Sequence, residues 1–218
     1  IDRFARYAGK TFRITTENLE LYNELEKGPD AFAMLSAHVG NYEMGGYTLV
    51  AKSKCIYMLV FGQETQTVME NRQEQFGKTN IRMVPVGNGM NHLFAINEAL
   101  TTGQILSMTA DRRFGSEKAV PCNFFGAEAL FPMGPFATVI QRDVPTLVVL
   151  VVKTGTRSYH AVVKRLPMPE AHLPRKERIA LLAQAYANEL ENVVRQYPEQ
   201  WFNFFNIWTT TTCQNPKQ

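Results

Sequence analysis

The residues most able to do acid–base chemistry are His38 and Glu43, which stand five positions apart in the segment Ser36–Glu43. In one regular helix these side chains would lie about 140° apart and would not meet. Gly40 and Asn41 between them favour a turn, which predicts His38 on a loop after a strand and Glu43 in the first turn of the next helix. A carboxylate folded back onto one ring nitrogen leaves the other nitrogen basic, as deprotonation of a hydroxyl requires. A surface His followed by a helix-start Glu has the same spacing, so the pair needs further support.

The elements that must position this pair are predicted from an alternation of strand and helix patterns. The apolar run 31–37 leads directly to His38 and is typical of a buried strand, and a strand predicted at 104–110 leads to Asp111. The strongest helix pattern covers 175–197, where apolar residues recur every three or four positions. Further strands are predicted at 54–61, 81–84, 120–125, 145–153 and 159–165, and further helices at 16–25, 42–52, 64–76, 91–102 and 136–142.

The fold and the domain organisation follow from this alternation. Strands that alternate with helices predict an α/β fold in which a mixed, largely parallel central sheet is flanked by helices. The 218 residues, 45% of them hydrophobic and 20% charged, suit one domain with a sizeable core. We therefore expect a single domain over 1–208 and a flexible polar tail over 209–218.

Charge and cysteine content restrict the classes of function. The net charge of +3, without a run rich in Lys and Arg, argues against nucleic-acid binding but is compatible with an anionic membrane surface or carrier. Three cysteines without a Cys-x-x-Cys pair, and four histidines at no metal-ligand spacing, predict no metal site and buried or incidental thiols. No apolar run reaches the ~18 residues that a transmembrane helix needs.

Four segments of the chain resemble motifs of one protein family. Ser36–Glu43 is similar to the His-x4-Asp/Glu signature of the lysophospholipid acyltransferase superfamily, in the form found in bacterial lipid A biosynthesis (lauroyl/myristoyl) acyltransferases. Ala110–Gly115 resembles the family's second acidic block, Asn123–Pro135 its Phe-Phe-Gly…Pro-x-Gly-Pro segment, and Tyr197–Trp201 its Tyr/His-Pro-x-Gln-Trp motif. Four motifs in the family's order, over about 31–208, are specific where one alone is not.

The resemblance implies an O-acyltransferase. In the family, a fatty-acyl group passes from a thioester on acyl carrier protein or coenzyme A to a hydroxyl of a lipid or glycolipid acceptor. His38 is then the general base, Glu43 orients it, and Asp111 matches an acidic residue of the site. Direct transfer needs no metal, no covalent acyl-enzyme and no cofactor beyond the acyl thioester.

The resemblance and the local sequence also suggest substrate-binding residues. The tetrahedral intermediate of acyl transfer needs hydrogen-bond donors for its oxyanion. Backbone N–H groups near Gly40 and Asn41, or the Asn41 side chain, are candidates. Gly134 stands where a helix is predicted to begin, which suits contact with an anion, although a plain loop-to-helix turn has the same pattern.

Four arginines, Arg72, Arg82, Arg112 and Arg113, are candidates for substrate binding. Arg112 and Arg113 are predicted to hold a phosphate of the carrier or of the acceptor, because guanidinium forks match phosphate oxygens. A solvated charge pair is the alternative for both. Arg72 stands where the family often has Arg before an aromatic-Gly pair.

The aromatic stretch 201–208 and the mild positive charge bear on location. This stretch either packs on the core or meets a membrane interface, where Trp is enriched, and we expect most of it to pack in the core. The stretch has Phe-Asn-Phe-Phe-Asn where lipid A enzymes usually show Trp and His or Arg, which leaves the acceptor's identity open. The resemblance implies a place on the cytoplasmic side of the bacterial inner membrane, peripheral or through a segment outside this sequence.

Two other functions are compatible with the same fold. A thioesterase or esterase would direct the pair at water instead of a lipid hydroxyl, and both reactions need a His base. A catalytically silent lipid- or carrier-binding protein would keep the fold alone, and the intact pair of His38 and Glu43 argues against it.

Overall fold

A computed structural model gives the fold of the protein and describes residues 9–45, 49–61, 80–87, 89–113 and 118–209. These residues form nine strands, five α-helices and one 3₁₀ turn. The strands are β1 Arg13–Thr16, β2 Phe32–Ser36, β3 Ile56–Phe61, β4 Ile81–Val86, β5 Ile105–Thr109, β6 Ala119–Phe124, β7 Ala127–Pro132, β8 Thr146–Gly155 and β9 Ser158–Arg165. The helices are α1 Leu19–Lys27, α2 Tyr42–Gly45, α3 Asn91–Thr101, α4 Met133–Arg142 and α5 Arg175–Gln196, and the 3₁₀ turn is Pro198–Gln200.

Seven of these strands form one sheet in the order β1-β9-β8-β2-β5-β3-β4. The five neighbours β8, β2, β5, β3 and β4 are parallel, whereas β9 is antiparallel to β8 and β1 is parallel to β9. The predicted α/β fold with a mixed, largely parallel sheet and flanking helices is therefore confirmed. The carboxyl ends of the five parallel strands lie at one edge of the sheet, here named the carboxyl edge, and the opposite edge is named the amino edge.

A separate antiparallel hairpin of β6 and β7 packs beside this sheet. The sequence pattern predicts the first of its strands but not the second. Phe131 of the hairpin contacts the ring of Tyr186, with ring centroids 6.1 Å apart, and Tyr186 is part of the buried stripe of α5. The hairpin is thereby joined to the main hydrophobic core, which contains the predicted apolar face of α5.

One predicted helix differs from the structure in its last residues. Within the expected helix at 42–52, the described part is α2 over Tyr42–Gly45, and residues 49–52 are not helical. The cause is the buried carboxylate of Glu26, which accepts hydrogen bonds from the backbone N–H groups of Lys52 at 2.7 Å and of Ser53. Backbone donors held by a side chain are lost to a helical ladder. The predicted helix at 64–76 and residues 210–218 of the predicted tail lie outside the described residues.

Two properties of the described ranges bear on function. None of their helices is both long and apolar enough to cross a bilayer. They also contain no group of three His, Cys, Asp or Glu side chains that could hold a metal ion.

Candidate active site

The register of β2 and β5 brings His38 and Asp111 together at the carboxyl edge. These parallel neighbours pair Ser36 with Thr109, and the N–H of Ala110 continues the ladder to the carbonyl of Ser36 at 2.9 Å. His38 and Asp111 each follow two positions after this last pair. Ligands of parallel α/β sheets commonly bind at such strand ends.

Asp111 is held by three hydrogen-bond donors. Its Oδ1 lies 2.7 Å from Nδ1 of His38, and its Oδ2 accepts the backbone N–H of His38 at 2.9 Å and the indole N–H of Trp201 at 3.3 Å. The Asp111 side chain is fully buried and that of His38 is 19% exposed. A buried carboxylate is tolerated only when its lone pairs are satisfied, as they are here. Since a carboxylate accepts, Nδ1 carries the ring proton, and Nε2 is the basic nitrogen of the neutral ring.

Tyr186 lies behind this pair in the core. Its hydroxyl donates to the carbonyl of Ser36 at 2.8 Å. Burial raises the pKa of Tyr186 well above its ordinary value, and the negative charge of Asp111 raises it further. Tyr186 therefore stays a neutral hydrogen-bond donor that fixes the end of β2.

The loop after His38 requires a glycine at position 40. Gly40 has φ of +60°, and a Cβ there would lie 2.0 Å from the carbonyl oxygen of Val151. The N–H of Gly40 donates to the carbonyl of Gln200 at 2.7 Å, and the N–H of Asn41 donates to Val151 at 2.8 Å. Both backbone donors are thus occupied within the fold. The substrate contacts of Gly40 and Asn41, the Asn41 side chain included, stay predictions.

The chain after α5 forms the other wall of the site. Val39 and Trp201 form an antiparallel bridge, and the N–H of Phe202 donates to the carbonyl of His38 at 2.8 Å. The side-chain amide of Gln200 binds the backbone N–H and carbonyl of Lys153, both at 2.8 Å. These contacts give physical roles to Gln200 and Trp201, which sequence reasoning did not assign to the site. The sequence feature that could have identified them as site residues is the Pro-x-Gln-Trp motif in which they stand.

The aromatic stretch 201–208 is more exposed than expected. Ile207 is buried, Trp201 and Asn203 are partly buried, and the remaining residues are exposed, so the prediction that most of the stretch packs in the core is wrong. The segment is held by hydrogen bonds and by the rings of Trp201 and Trp208, which pack on Phe124. Its side-chain oxygens Oδ1 of Asn203 and Asn206 accept the N–H groups of Phe205 and Trp208 at 3.3 and 3.2 Å.

The remaining predicted site residues differ in position. Arg112 reaches the site wall, because its Nη2 donates to the carbonyl of Phe202. Arg113 is exposed. Gly134 is the second residue of α4, and a Cβ there would meet no atom within 4 Å.

Two predicted site residues are only partly covered or not covered at all. The backbone of Glu43 lies in the first turn of α2, as expected, but its side chain lies outside the described atoms. Arg72 lies outside the described residues.

The cysteines in the described ranges lack the properties of a nucleophile. Cys55 and Cys122 are not joined in a disulfide. Burial raises the pKa of the Cys122 thiol to about 12, and burial also raises the pKa of Cys55. Neither thiol is a thiolate near neutral pH, which favours the pair at the carboxyl edge as the reactive group.

Comparison with known proteins agrees with the motifs. No curated protein matches the chain significantly. The sequence model of the family described as bacterial lipid A biosynthesis acyltransferase matches residues 9–210, which include all four motifs and both His38 and Asp111. The resemblance seen in the sequence is confirmed, and with it acyltransferase activity in general, between an acyl donor and a lipid acceptor. The chain belongs to the bacterial lipid A biosynthesis acyltransferase family.

Proposed function

We propose that this protein transfers a fatty-acyl group from a thioester on acyl carrier protein or coenzyme A to a hydroxyl of a lipid or glycolipid acceptor. His38 is the general base of this O-acyltransferase. The observation that carries the proposal is the hydrogen bond between Nδ1 of His38 and the buried Asp111 at 2.7 Å. A buried carboxylate in this position favours the tautomer with a basic Nε2 and stabilises the imidazolium that forms when a proton arrives.

The reaction follows from this arrangement. Nε2 of His38 removes the proton of the acceptor hydroxyl while the hydroxyl oxygen attacks the thioester carbonyl. The tetrahedral intermediate collapses as the carbon–sulfur bond breaks, and His38 returns the proton to the departing thiolate. The products are an ester and a free thiol, so His38 ends in its starting state and no acyl-enzyme forms.

Two carboxylates compete for the orienting role. The prediction from the motif gives it to Glu43, and the described side chains have Asp111 on Nδ1 of His38. One ring nitrogen cannot be the base while it also binds an orienting carboxylate. We therefore assign orientation of His38 to Asp111 and propose that Glu43, in the first turn of α2, supports the positive charge that develops on the ring.

Substrate contacts complete the proposal. Arg112 and Arg113, on the loop after β5, are proposed to bind a phosphate of the carrier or of the acceptor, Arg112 being the one that reaches the wall beside His38. Asn41, Gly134 and Arg72 stay predicted substrate contacts. No metal ion takes part in the proposed reaction.

We further propose that the carboxyl edge faces a membrane surface. Phe204 is 86% exposed and lies two residues after Phe202, which is bonded to the His38 carbonyl. Met90 and Phe94, at the start of α3 and thus at the same edge, are also exposed. Exposed aromatic and apolar side chains concentrated around a site suit entry of a lipid substrate. The cytoplasmic side of the bacterial inner membrane is the proposed location.

Membrane contact can be tested by co-sedimentation with vesicles of neutral and of anionic lipid. Phe204→Ser is expected to reduce binding at least several-fold. Leu181→Ser, which removes an exposed apolar side chain of α5, is expected to bind like the parent. Equal binding by parent and Phe204→Ser would contradict the assigned surface, and equal partitioning onto the two lipids would contradict an electrostatic contribution.

The proposed reaction is tested by thioester consumption with long-chain acyl carrier protein or acyl-CoA, with and without a bacterial lipid extract. The parent is expected to consume thioester only when lipid is present, and His38→Ala is expected to be at least ~10²-fold slower. His172→Ala is a matched control, because His172 also pairs through Nδ1 with a carboxylate, Glu170 at 3.1 Å, but both side chains are exposed. This control is expected to keep the parent rate.

The other outcomes separate the alternatives. Turnover without lipid that is lost in His38→Ala identifies a thioesterase. Equal turnover in His38→Ala and the parent contradicts His38 as the base. Mass spectrometry of the lipid product names the acceptor and the acyl length.

A further inference from the structure

We infer that Nε of Arg112 and Nδ2 of Asn203 form a binding site for an anionic oxygen of the substrate, beside His38 and Asp111. The inference deepens the proposed function and rests on it for the identity of the substrate. It adds Asn203, which stands in the segment that departs from the family's usual residues.

Two buried N–H donors in the wall of the site lack acceptors. Among the buried side-chain nitrogen and oxygen atoms of the described residues, Nε of Arg112 and Nδ2 of Asn203 have no hydrogen-bond partner. Buried donors in folded proteins are almost always satisfied, because an unpaired one loses its hydration without return. Both exceptions are nitrogen donors, and both lie in the wall of the same site. A bound acceptor oxygen would satisfy both.

The amide of Asn203 has a defined orientation. Its Oδ1 accepts the N–H of Phe205 at 3.3 Å, so the opposite arm of the amide carries the N–H₂ group. The turn therefore assigns Nδ2 as the unpaired atom and holds the amide in place. Asn206 makes the same turn with Trp208 at 3.2 Å, but its side chain is exposed.

Arg112 is held against the same segment by its other groups. Its Nη2 donates to the carbonyl of Phe202, the peptide group that continues into Asn203, and its guanidinium lies over the ring of Phe205 with 5.5 Å to the ring centroid. Arg112 and Asn203 are thus neighbours across Phe202. A guanidinium fixed on one side by protein groups is preorganised to bind an oxygen with its remaining N–H.

Phe202 connects this pair of donors to the base. Its N–H binds the carbonyl of His38 at 2.8 Å, while its carbonyl receives Arg112. The nearer backbone donors are already used, since the N–H groups of His38, Gly40 and Asn41 bind Asp111, Gln200 and Val151. Acyl transfer builds negative charge on an oxygen beside the base, and Arg112 and Asn203 offer donors for it that these three backbone groups do not.

Two oxygens of the proposed substrates fit these donors. One is the oxyanion of the tetrahedral intermediate, and the other is a phosphate oxygen of the carrier or of the acceptor. Both are anionic acceptors, and they differ in when they bind. The oxyanion exists only during the reaction and affects kcat, whereas a phosphate is bound in the ground state and affects KM.

Substitutions at the two matched asparagines test the inference. Asn203→Asp keeps the oxygen that accepts the N–H of Phe205 and removes the donor, and Asn203→Leu removes the donor without adding charge. Asn206→Asp and Asn206→Leu make the same changes in the exposed turn. Steady-state kcat and KM are measured with each substrate, and thermal melting confirms that all four variants fold.

Titration with inorganic phosphate provides a readout apart from activity. Both tryptophans of the chain, Trp201 and Trp208, lie in this segment, so their fluorescence reports on an anion bound there. If the parent shows no acyl transfer, the proposed function fails while the dependence of phosphate binding on Asn203 still decides this inference.

The expected result is a loss of function at position 203 only. A fall in kcat of at least tenfold with unchanged KM identifies the oxyanion. A tenfold rise in KM for one substrate, with loss of the phosphate-induced fluorescence change, identifies the phosphate. If the Asn203 variants equal the Asn206 variants in kcat, in KM and in the phosphate titration, the inference is overturned.

Discussion

Two buried carboxylates, Asp111 and Glu26, lie at opposite edges of the same largely parallel sheet. Asp111 at the carboxyl edge binds two N–H groups of His38 and the indole of Trp201. Glu26, which is 4% exposed, binds the backbone N–H groups of Lys52, Ser53 and Lys54 and the side chain of Ser53. Both carboxylates are therefore buried and hydrogen-bonded. They differ in their partners, because Asp111 binds the side chains of His38 and Trp201 and Glu26 binds mainly backbone N–H groups.

The partners decide what each carboxylate does. Glu26 holds a loop that leads into β3, and the nearby Lys54 side chain donates to the carbonyls of Asp30 at 3.0 Å and of Gly103. This edge thus uses its charged groups to hold backbone segments together. Asp111 instead holds a titratable side chain, which couples its charge to a proton that can move. Burial alone would make both carboxylates candidates for a functional site. Their hydrogen-bond partners show which of the two lies beside a titratable side chain.

The largest effect is expected from Asp111→Asn. An amide at this position no longer stabilises the imidazolium and favours the wrong ring tautomer, so kcat should fall by about 10³-fold, within the range for orienting carboxylates. The rate of thioester consumption measures this effect, with near-ultraviolet circular dichroism to confirm the fold. Glu26→Gln should keep the parent kcat. A fall of equal size in Glu43→Gln and a normal rate in Asp111→Asn would assign the orienting role to Glu43 instead.

The next effect is on stability at the amino edge. Glu26→Ala leaves three backbone N–H groups, that of Lys54 buried and those of Lys52 and Ser53 partly buried, without their acceptor and should lower the free energy of unfolding by about 3 kcal/mol. Chemical denaturation measures this change. Glu24→Ala removes an exposed carboxylate from the same helix and should stay within about 0.5 kcal/mol of the parent. Similar losses in both variants would mean that the helix, and not the buried carboxylate, is responsible.

The pH dependence of stability should report on Glu26. Burial by itself raises the pKa of Glu26, but the hydrogen bonds from Ser53, Lys52 and Lys54 outweigh it and lower the pKa below its ordinary value. The unfolded chain then binds a proton at a higher pH than the folded chain does. The stabilising contribution is present in full above the unfolded pKa of about 4.3 and is lost as pH falls through the folded pKa.

Glu26→Gln removes this contribution to the pH dependence. Its free energy of unfolding should therefore decline less steeply than that of the parent as pH falls below about 5. Denaturant unfolding at a series of acidic pH values measures the two slopes. Identical slopes would show that Glu26 has the same pKa in the folded and unfolded chain.

Local sequence patterns predict the elements around the site but not their order in space. The strand before His38, the turn at Gly40 and the strand before Asp111 all follow from apolar runs and their ends. The contact between His38 and Asp111, 73 positions apart, depends on β2 and β5 being neighbours. Strand order is a property of the whole sheet, and no local periodicity encodes it.

The structural errors of the sequence prediction have tertiary causes. The helix expected at 42–52 does not include residues 49–52, where Glu26 takes the backbone donors of Lys52 and Ser53. The 201–208 stretch is held partly by turns and backbone bridges, so it remains exposed although it is rich in aromatic residues. The hydrophobicity of a sequence does not indicate such contacts. The unpaired donors of Arg112 and Asn203 likewise become visible only when both residues are placed in one wall.

The smallest effect is expected from Tyr186→Phe. This substitution tests whether the catalytic groups include Tyr186, which lies in the core behind His38 and Asp111. The lost hydroxyl leaves the Ser36 carbonyl with a second donor, the N–H of Ala110 at 2.9 Å, so the free energy of unfolding should fall by only about 1 kcal/mol. Because the raised pKa keeps Tyr186 neutral, its removal should leave the pH profile of kcat unchanged and kcat within about threefold of the parent. Thermal melting and the pH–rate profile measure both properties. A loss of kcat comparable to that of Asp111→Asn would extend the catalytic machinery beyond His38 and Asp111 into the core.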